Sequence, residues 1–327
     1  MTFTCCLMVL NYNGRRHLDD CFSSLLVAAS RSKHECRVVC VDNRSTEPDV
    51  EYLREHFPEV EVVVAERNDF LFSLNAVVAA REEEIVVILN NDMRFDPDFV
   101  DPLVEHMADP DVFGVGARLL DWDGTGQQNA ARRGWIERGW FYKRWATELE
   151  GASHTLEAPG GASAYRRWMF VELGGFDPLY RPGYYEDFDL AYRAWARGWR
   201  SIYEPRSVIY HRESVTLTEV LGNGRRARVH LRNHLLFTAK NIGDRGFLAL
   251  FLAMLPVRAV RPLFQGDRSA ARAVFDALPR LPRALRARGK ARATRSTSEV
   301  FAAVEQPLVA TVHEAAPAEP GVARVAG

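Results

Sequence analysis

In the stretch EEIVVILNNDMRFDPDF, residues 83–99, five consecutive apolar residues, Ile85 to Leu89, run straight into Asn90, Asn91 and Asp92. A near-continuous run of branched aliphatics marks a strand buried on both faces, as strands inside parallel sheets are. Ligands of open α/β sheets sit at the carboxyl ends of such strands. Two amides and a carboxylate at this end therefore either turn the chain or hold something.

Outward from that strand, the first 120 residues alternate two periodicities. FTCCLMVL (3–10), CRVVCVDN (36–43) and VEVVVAE (60–66) read as further strands. RRHLDDCFSSLLVAA (15–29), DVEYLREHF (49–57) and LFSLNAVVAAREE (71–83) carry apolar residues at helical spacing. Strands separated by helices of about 10–15 residues imply right-handed crossovers and a mostly parallel, Rossmann-like sheet flanked by helices. DPDFVDPLVEHM (96–107) reads as the next helix, with Asp96 and Pro97 as N-cap and first helical residue, so Asp96 and Asp98 cap rather than ligate. VFGVGARLLD (112–121) reads as another strand. The stretch holding Trp135, Trp140, Phe141, Tyr142 and Trp145 is either a packed helix or a platform for a sugar face.

At 327 residues, 47% hydrophobic and 26% charged, the chain has the composition of a globular protein with an ample core. A net charge of −1 provides no global field to recruit nucleic acid. The five cysteines, Cys5, Cys6, Cys21, Cys36 and Cys40, form no CxxC pair, and four of them fall in strand-like runs, which fits a reduced, cytoplasmic setting. The N-terminus lacks a basic region and a small-residue cleavage site, and reads as the first strand.

From about Arg225 the chain reads as helical. Between Arg258 and Arg295 there are eleven Arg or Lys against two Asp. FLALFLAMLPV (247–257) is uncharged for eleven residues, short of the roughly 20 that a spanning helix needs. It either packs as a buried helix or lies on a membrane surface, the inner face of the plasma membrane if the chain is cytoplasmic. The expected division is 1–220 as the main domain, 221–300 as a helical basic extension, and 301–327 as a low-complexity, disordered tail.

Neither G-x-G-x-x-G nor G-x-x-x-x-G-K-[ST] occurs, so the chain is neither a dinucleotide-binding dehydrogenase nor a P-loop protein. Without a glycine cradle, phosphate charge is met by a divalent cation on one or two carboxylates. Three strand ends carry polar residues of one kind: Asn11, Tyr12 and Asn13; Asp42 and Asn43; Asn90, Asn91 and Asp92. Each alone is a turn residue. Together, on one edge of a parallel sheet, they point to a ligand cleft in which Tyr12 stacks on a base and Asp42 accepts from it. A second cluster, PGYYEDFDLAYRAWARGW (182–199), places Glu186 and Asp187 at a helix N-terminus, where carboxylates complement the dipole or one serves as a general base. Asp189 lies one residue deeper and supports the helix. His211 ends an apolar run and is a core histidine or a ligand.

These residues resemble family 2 glycosyltransferases of the GT-A fold, and the rhamnosyltransferase-like members of bacterial polysaccharide pathways in particular. The resemblance rests on VLNYNG (9–14), VDNRSTEPDV (41–50), ILNNDMRFDPDF (88–99), APGGASAYRR (158–167), LGGFDPLYRPGYYEDFDLAYRAWARGWR (173–200) and IYHRES (209–214), in family order over about residues 3 to 215. It implies an inverting, metal-dependent transfer of a sugar from a UDP-, dTDP- or GDP-linked donor to a hydroxyl of a glycan or lipid-linked acceptor. Asp92 would be the metal carboxylate of the D-x-D position, His211 would complete the Mg²⁺ or Mn²⁺ site, and Asp187 would be the base beside Glu186. Asn11, Tyr12, Asp42, Asn43, Asn68, Asn75, Asn90 and Asn91 would line the donor site, and Gly160, Gly161, Trp140 and Tyr185 the acceptor side. Two departures stand out: Asn90 replaces the first aspartate, and Phe70 replaces a glycine in the loop at 66–80. The rivals are a sugar nucleotidyltransferase, whose glycine-rich N-terminal signature NYNGRRH does not supply, and a degenerate nucleotide- or glycan-binding protein.

Overall fold

The computed structural model describes residues 1–212, 222–288 and 293–308. Its centre is a parallel block in the order β3 (Glu61–Val64), β2 (Glu35–Asp42), β1 (Thr4–Asn11), β4 (Ile85–Asn90). The crossovers are α1 (Leu18–Arg31), α2 (Asp49–His56) and α3 (Leu74–Ala80). Ile85 to Leu89 are each 0% exposed, as a strand covered on both faces must be. Asn11 pairs in register with Asp42, and Leu10 with Asn90, so the three polar strand ends share one edge.

Beyond β4 the sheet becomes mixed. β10 (Ala162–Arg166) runs antiparallel between β4 and β6 (Val112–Asp121); β11 (Arg200–His211) lies parallel to β6, and β5 (Met93–Phe95) closes the edge antiparallel to β11. The pairing of Ala162 with Leu89 starts β10 at the carboxyl end of β4, which brings the preceding Pro159-Gly160-Gly161 turn to the cleft. α4 begins at Val100, not at Pro97: Asp96 accepts the Asp98 and Phe99 amides in a turn ahead of it, and Asp98 pairs with Arg31.

The aromatic stretch is not a helix. It is a two-stranded hairpin, β7 (Ala131–Glu137) and β8 (Trp140–Ala146), joined at Arg138 and Gly139. Both turn residues have positive φ, 48° and 70°, the primed turn that matches strand twist.

After α5 (Arg167–Glu172) and α6 (Glu186–Ala196) come the expected C-terminal helices: α7 (Asn223–Asn241), α8 (Arg245–Ala253), α9 (Leu255–Phe264), α10 (Arg268–Ala277), α11 (Leu281–Ala287) and α12 (Thr297–Glu305). Phe237 of α7 packs edge-on against Phe188 and Tyr192 of α6, and Val300 and Val304 of α12 join the same apolar cluster. α12 opens with a capping box between Ser296 and Glu299, so helix continues past the boundary expected at 300. The boundary expected at 220 and the tail from 309 onward lie outside the described residues. The apolar run at 247–257 is part of a longer helical stretch, Arg245–Phe264, 20 residues that are long and apolar enough to cross a membrane by length and composition, with only 17% of its apolar window buried.

One carboxylate ties these layers together. Asp189, 0% exposed, accepts from the Tyr180 hydroxyl (2.8 Å), Arg193 Nε (2.6 Å), Lys240 Nζ (2.9 Å) and Asn241 Nδ2 (2.7 Å). Burial pushes its carboxyl up, but the Lys240 and Arg193 cations outweigh burial and hold it well below the ordinary carboxylate range. A depressed carboxyl contributes stability that is complete above the unfolded value of about 4 and disappears as pH falls through the folded one. Asp189→Asn leaves two cations under-compensated. It should lower unfolding free energy by about 3–5 kcal/mol in urea titration at pH 7; a loss below about 1 kcal/mol would remove Asp189 from this role.

Candidate functional site

The cleft edge is braced from below by a buried polar network. Asn11, 0% exposed, donates to Asp42 Oδ2 (3.1 Å) and Asp49 Oδ2 (2.8 Å) and accepts from Asn91 Nδ2 (2.6 Å). Asp42, 1% exposed, also accepts the Ser45 amide (2.9 Å) and hydroxyl (2.6 Å). Asp49 accepts the Gly14 amide at 2.8 Å. Expected at the donor, Asn11 and Asp42 in this structure join β1, β2 and the loops that follow them. Tyr12, next along, is half-buried at the edge itself. Asn43 donates to Asn68 Oδ1 (3.1 Å) and the Phe70 carbonyl (3.1 Å) and accepts from Ser73 (2.6 Å), pinning the loop at 66–73 across the end of β2. In that loop Phe70 sits at φ 51°, in the left-handed region a glycine occupies freely, so the replacement leaves the backbone shape in place at a cost on the order of 1–3 kcal/mol.

Asn75, expected along the donor site, is bonded across to the turn before α6. Its amide donates to the Phe176 carbonyl (2.9 Å) and its oxygen accepts the Phe176 amide (2.9 Å), so both halves are spent on one backbone unit across the cleft wall. It fixes the GGFDP turn that leads into α6.

The NND end and the carboxylate pair meet through the glycine turn. A Cβ on Gly161 would lie 2.4 Å from Asn90 Oδ1, and one on Gly160 would lie 3.3 Å from Asp187 Cβ and 2.6 Å from Leu71 Cδ2. The Gly160 amide donates to Asp187 Oδ2 at 3.0 Å, and the Phe188 amide to Oδ1 at 2.7 Å. Gly160 and Gly161 thus stand between the two clusters, and only a residue without a side chain fits so closely. Ahead of α6, Tyr184 and Tyr185 both hold positive φ, 68° and 78°. That turn swings Glu186 and Asp187 into the first helical turn.

Asp187 keeps partial exposure while Glu186 is buried, and Glu186 Oε2 has no hydrogen-bond partner among the described residues. Burial raises both carboxyls above the ordinary range; Glu157 adds to the rise at Asp187, and Asp187 adds to it at Glu186. The two carboxyls interact, so the pair takes up its first proton at a higher pH than an ordinary carboxylate does. Lys143 of β8 is nearby, its Nζ 4.2 Å from the Tyr185 ring centre, and its charge pulls the Asp187 value partly back. Arg132 pairs with Glu157 at 2.7 Å. None of these three supporting charges stood out in the sequence, where the hairpin itself was hidden.

Asp92, 6% exposed, lies with Oδ1 3.5 Å from His211 Nε2. Gln128 orients the histidine. Its Nε2 donates to Asp121 Oδ1 (2.9 Å) and the His211 carbonyl (3.2 Å), so its Oε1 is the atom that faces His211 Nδ1 at 2.6 Å. An amide oxygen only accepts, so Nδ1 carries a proton and Nε2 is the ring nitrogen turned toward Asp92. Among the described residues no group of three or more His, Cys, Asp and Glu gathers to hold a metal. One carboxylate and one imidazole suit an ion that takes its remaining oxygens from water and phosphate. On the acceptor side, Tyr185 is 3% exposed with its hydroxyl 2.7 Å from His234 Nδ1, and Trp140 stacks on His234 at 4.5 Å beneath the Arg258 guanidinium. Tyr185 is thus packed into the wall, while Trp140 keeps partial exposure.

Residues 6–174 match the family described as Glycosyl transferase family 2. The chain belongs to this family. The O-antigen biosynthesis protein RfbC of Myxococcus xanthus is 28% identical over 224 residues, 64% of this chain; the chain spans 17% of that relative's length. Among solved structures, GalNAc-T7 with UDP, GalNAc and Mn²⁺ superposes with a TM-score of 0.58 at 18% identity over 78% of this chain and 51% of that one. The mannosyltransferase PcManGT of Pyrobaculum calidifontis, in complex with GDP-Man and Mn²⁺, gives 0.54 at 19% identity over 93% and 79%. These likenesses establish the GT-A fold for this family 2 chain, with the polar strand ends on its cleft edge.

Asn75→Ala removes both hydrogen bonds to Phe176 and leaves buried backbone groups unpaired. It should lower unfolding free energy by about 1–3 kcal/mol in urea titration, whereas an unchanged midpoint would return Asn75 to the list of free cleft residues.

Proposed function

We propose that this chain is an inverting glycosyltransferase that moves a sugar from a UDP-, dTDP- or GDP-linked donor to a hydroxyl of a glycan or lipid-linked acceptor in cell-surface polysaccharide synthesis. The observation that carries the reading is the Gly160–Gly161 turn, which sets the general-base candidate Asp187 beside the NND strand end. Family membership and an O-antigen relative support the reaction class, and a rhamnosyl-type donor is the finer reading that the motif pattern favours.

In this reading the donor lies along the edge formed by Tyr12, Asn68, Asn90 and Asn91. Asp92 and His211 would hold Mg²⁺ or Mn²⁺ there, and a bound ion neutralises charge on the diphosphate leaving group. The nucleotide-bound structural neighbours that carry Mn²⁺ support this pairing. Asp187 takes the proton from the acceptor hydroxyl as its oxygen attacks the anomeric carbon from the face opposite the leaving group. A single displacement inverts that centre. The Gly160 and Phe188 amides aim the two oxygens of Asp187, and burial beside Glu186 and Glu157 raises its carboxyl.

The base works only when ionised. Since its carboxyl is raised, activity is lost as pH falls through a value above the ordinary aspartate figure of about 4, and the acidic limb of kcat/KM reports it. Glu157→Gln removes a negative neighbour and should move that limb to lower pH. Asp187→Asn should cost on the order of 10²–10⁴ in kcat with donor binding retained. Wild-type transfer rates in Asp187→Asn would refute the assignment, and an acidic limb at the ordinary aspartate value would refute its electrostatics.

A further inference from the structure

The helices α8 and α9 are apolar on the side turned away from the protein as well as on the side turned toward it. Phe251, Leu255 and Ala259 form the inward row, at 0%, 8% and 7% exposure. At helical spacing on the opposite side stand Leu250, Ala253, Val257, Val260 and Phe264, with Leu263 beside them; Val257 is 48% exposed and Phe264 87%. A solvent-facing helix carries charged or polar residues on its outer side. This one has none along that row. Phe275 on α10 and Leu278 in the turn after it are exposed apolar residues as well, at 56% and 45%. Contiguous apolar surface of this kind marks an interaction site.

The charge around it selects the partner. From Arg245 to Arg288 the sequence has nine arginines against two aspartates, and no lysine or glutamate. Of the two acids, Asp276 pairs with Arg228 and Asp267 caps the first turn of α10. Arg245, Arg261, Arg268, Arg272 and Arg280 are exposed. A second copy of the chain on this face would bring like charge against like, because a two-fold interface repeats the same patch on both sides. An anionic lipid leaflet offers apolar depth and negative headgroups together. With the inward row packed on the protein, the stretch cannot be surrounded by lipid, so it lies in the interface and does not span.

We propose that the outer face of α8 and α9, with its bordering arginines, seats this chain on an anionic membrane surface. The face is wired to the candidate site. Leu250 packs against Gly139 at the hairpin tip, where a Cβ would come within 2.9 Å of it, and Arg258 donates to the Gly139 carbonyl at 2.8 Å while lying 4.5 Å from the Trp140 ring centre. Trp140 stacks on His234, which meets the Tyr185 hydroxyl one residue before Glu186. An acceptor anchored in the same leaflet is thereby held at the level of Asp187; this last step, unlike the docking itself, rests on the glycosyltransferase reading.

The test is co-sedimentation of the purified full chain with vesicles of phosphatidylcholine alone and of phosphatidylcholine mixed with phosphatidylglycerol, at low and high salt. The expected result is binding to the anionic vesicles, weakened by salt, and reduced by about tenfold or more in Val257→Glu/Val260→Glu. Both valines are about half exposed, so the variant keeps its fold, checked by its melting curve. Arg261→Glu/Arg268→Glu should lose the preference for the anionic lipid. No binding of the wild type to either vesicle overturns the proposal, as does a wild-type dimer that Val260→Glu converts to monomer. Vesicle binding needs neither donor nor transfer, so a chain that transfers sugar without binding vesicles sinks this inference alone, and one that binds vesicles without any transferase activity sinks the other alone.

Discussion

Asp189 sits where α6, the turn before it and the C-terminal helices meet, and its four hydrogen bonds come from Tyr180, Arg193, Lys240 and Asn241. Through Arg193 the network reaches the carbonyls of Leu173 (2.6 Å) and Gly175 (2.7 Å), and through Lys240 it reaches Asp177 (2.8 Å). The whole GGFDPLY segment is held on one side by this ion cluster and on the other by Asn75. With both ends of the segment fixed, the chain has little choice but to turn sharply through Tyr184 and Tyr185, both left-handed, into α6. The position of Glu186 and Asp187 follows from that turn. A buried ion cluster is a costly way to gain stability; here it fixes the place of the general-base candidate Asp187.

The same division of labour appears on the opposite wall. Asn11, Asp42, Asp49 and Asn43 are buried and bonded to one another or to neighbouring loops, and they present a shaped edge on which Tyr12, Asn90 and Asn91 remain partly exposed. Polar residues at strand ends therefore serve in two layers, one that sets the loops and one that meets solvent. Asp92 and His211 belong to a third place, at the junction of β4, β5 and β11, where Gln128 turns the imidazole. The charges that tune Asp187 arrive from the hairpin and from the loop before the glycine turn, so this carboxylate depends on segments that carry no motif of their own.

Much of this was legible in the sequence. The uninterrupted run Ile85–Leu89 could only be a doubly covered strand, and the strand–helix alternation before it dictated the parallel block and the shared polar edge. Asp187 and Asp189 were separable by depth because helix periodicity places the latter inward. What stayed hidden were partnerships across long separations. Nothing near Asn75 shows that its amide is spent on Phe176, 101 residues away. The hairpin was legible in principle, since Arg138-Gly139 is a two-residue turn between alternating segments, but the density of aromatics masked the period of two. The apolar run at 247–257 looked too short because the uncharged stretch was counted only as far as Arg258. Proline is tolerated in the first turn of a helix, and α9 carries the apolar stretch on to Phe264.

The central claim is that the edge beside Asp92 binds a nucleotide diphosphate together with a divalent ion. The most direct measurement is a thermal-shift panel of UDP, dTDP and GDP, each with and without Mn²⁺, on wild type and Asp92→Asn. A ligand at 100 times its dissociation constant stabilises a fold by about 2.7 kcal/mol, a shift well within reach of the method. The account predicts stabilisation by one nucleotide that requires Mn²⁺ and is lost in Asp92→Asn. A wild type that responds to none of the three with Mn²⁺ present, or an Asp92→Asn variant that responds as the wild type does, would contradict it.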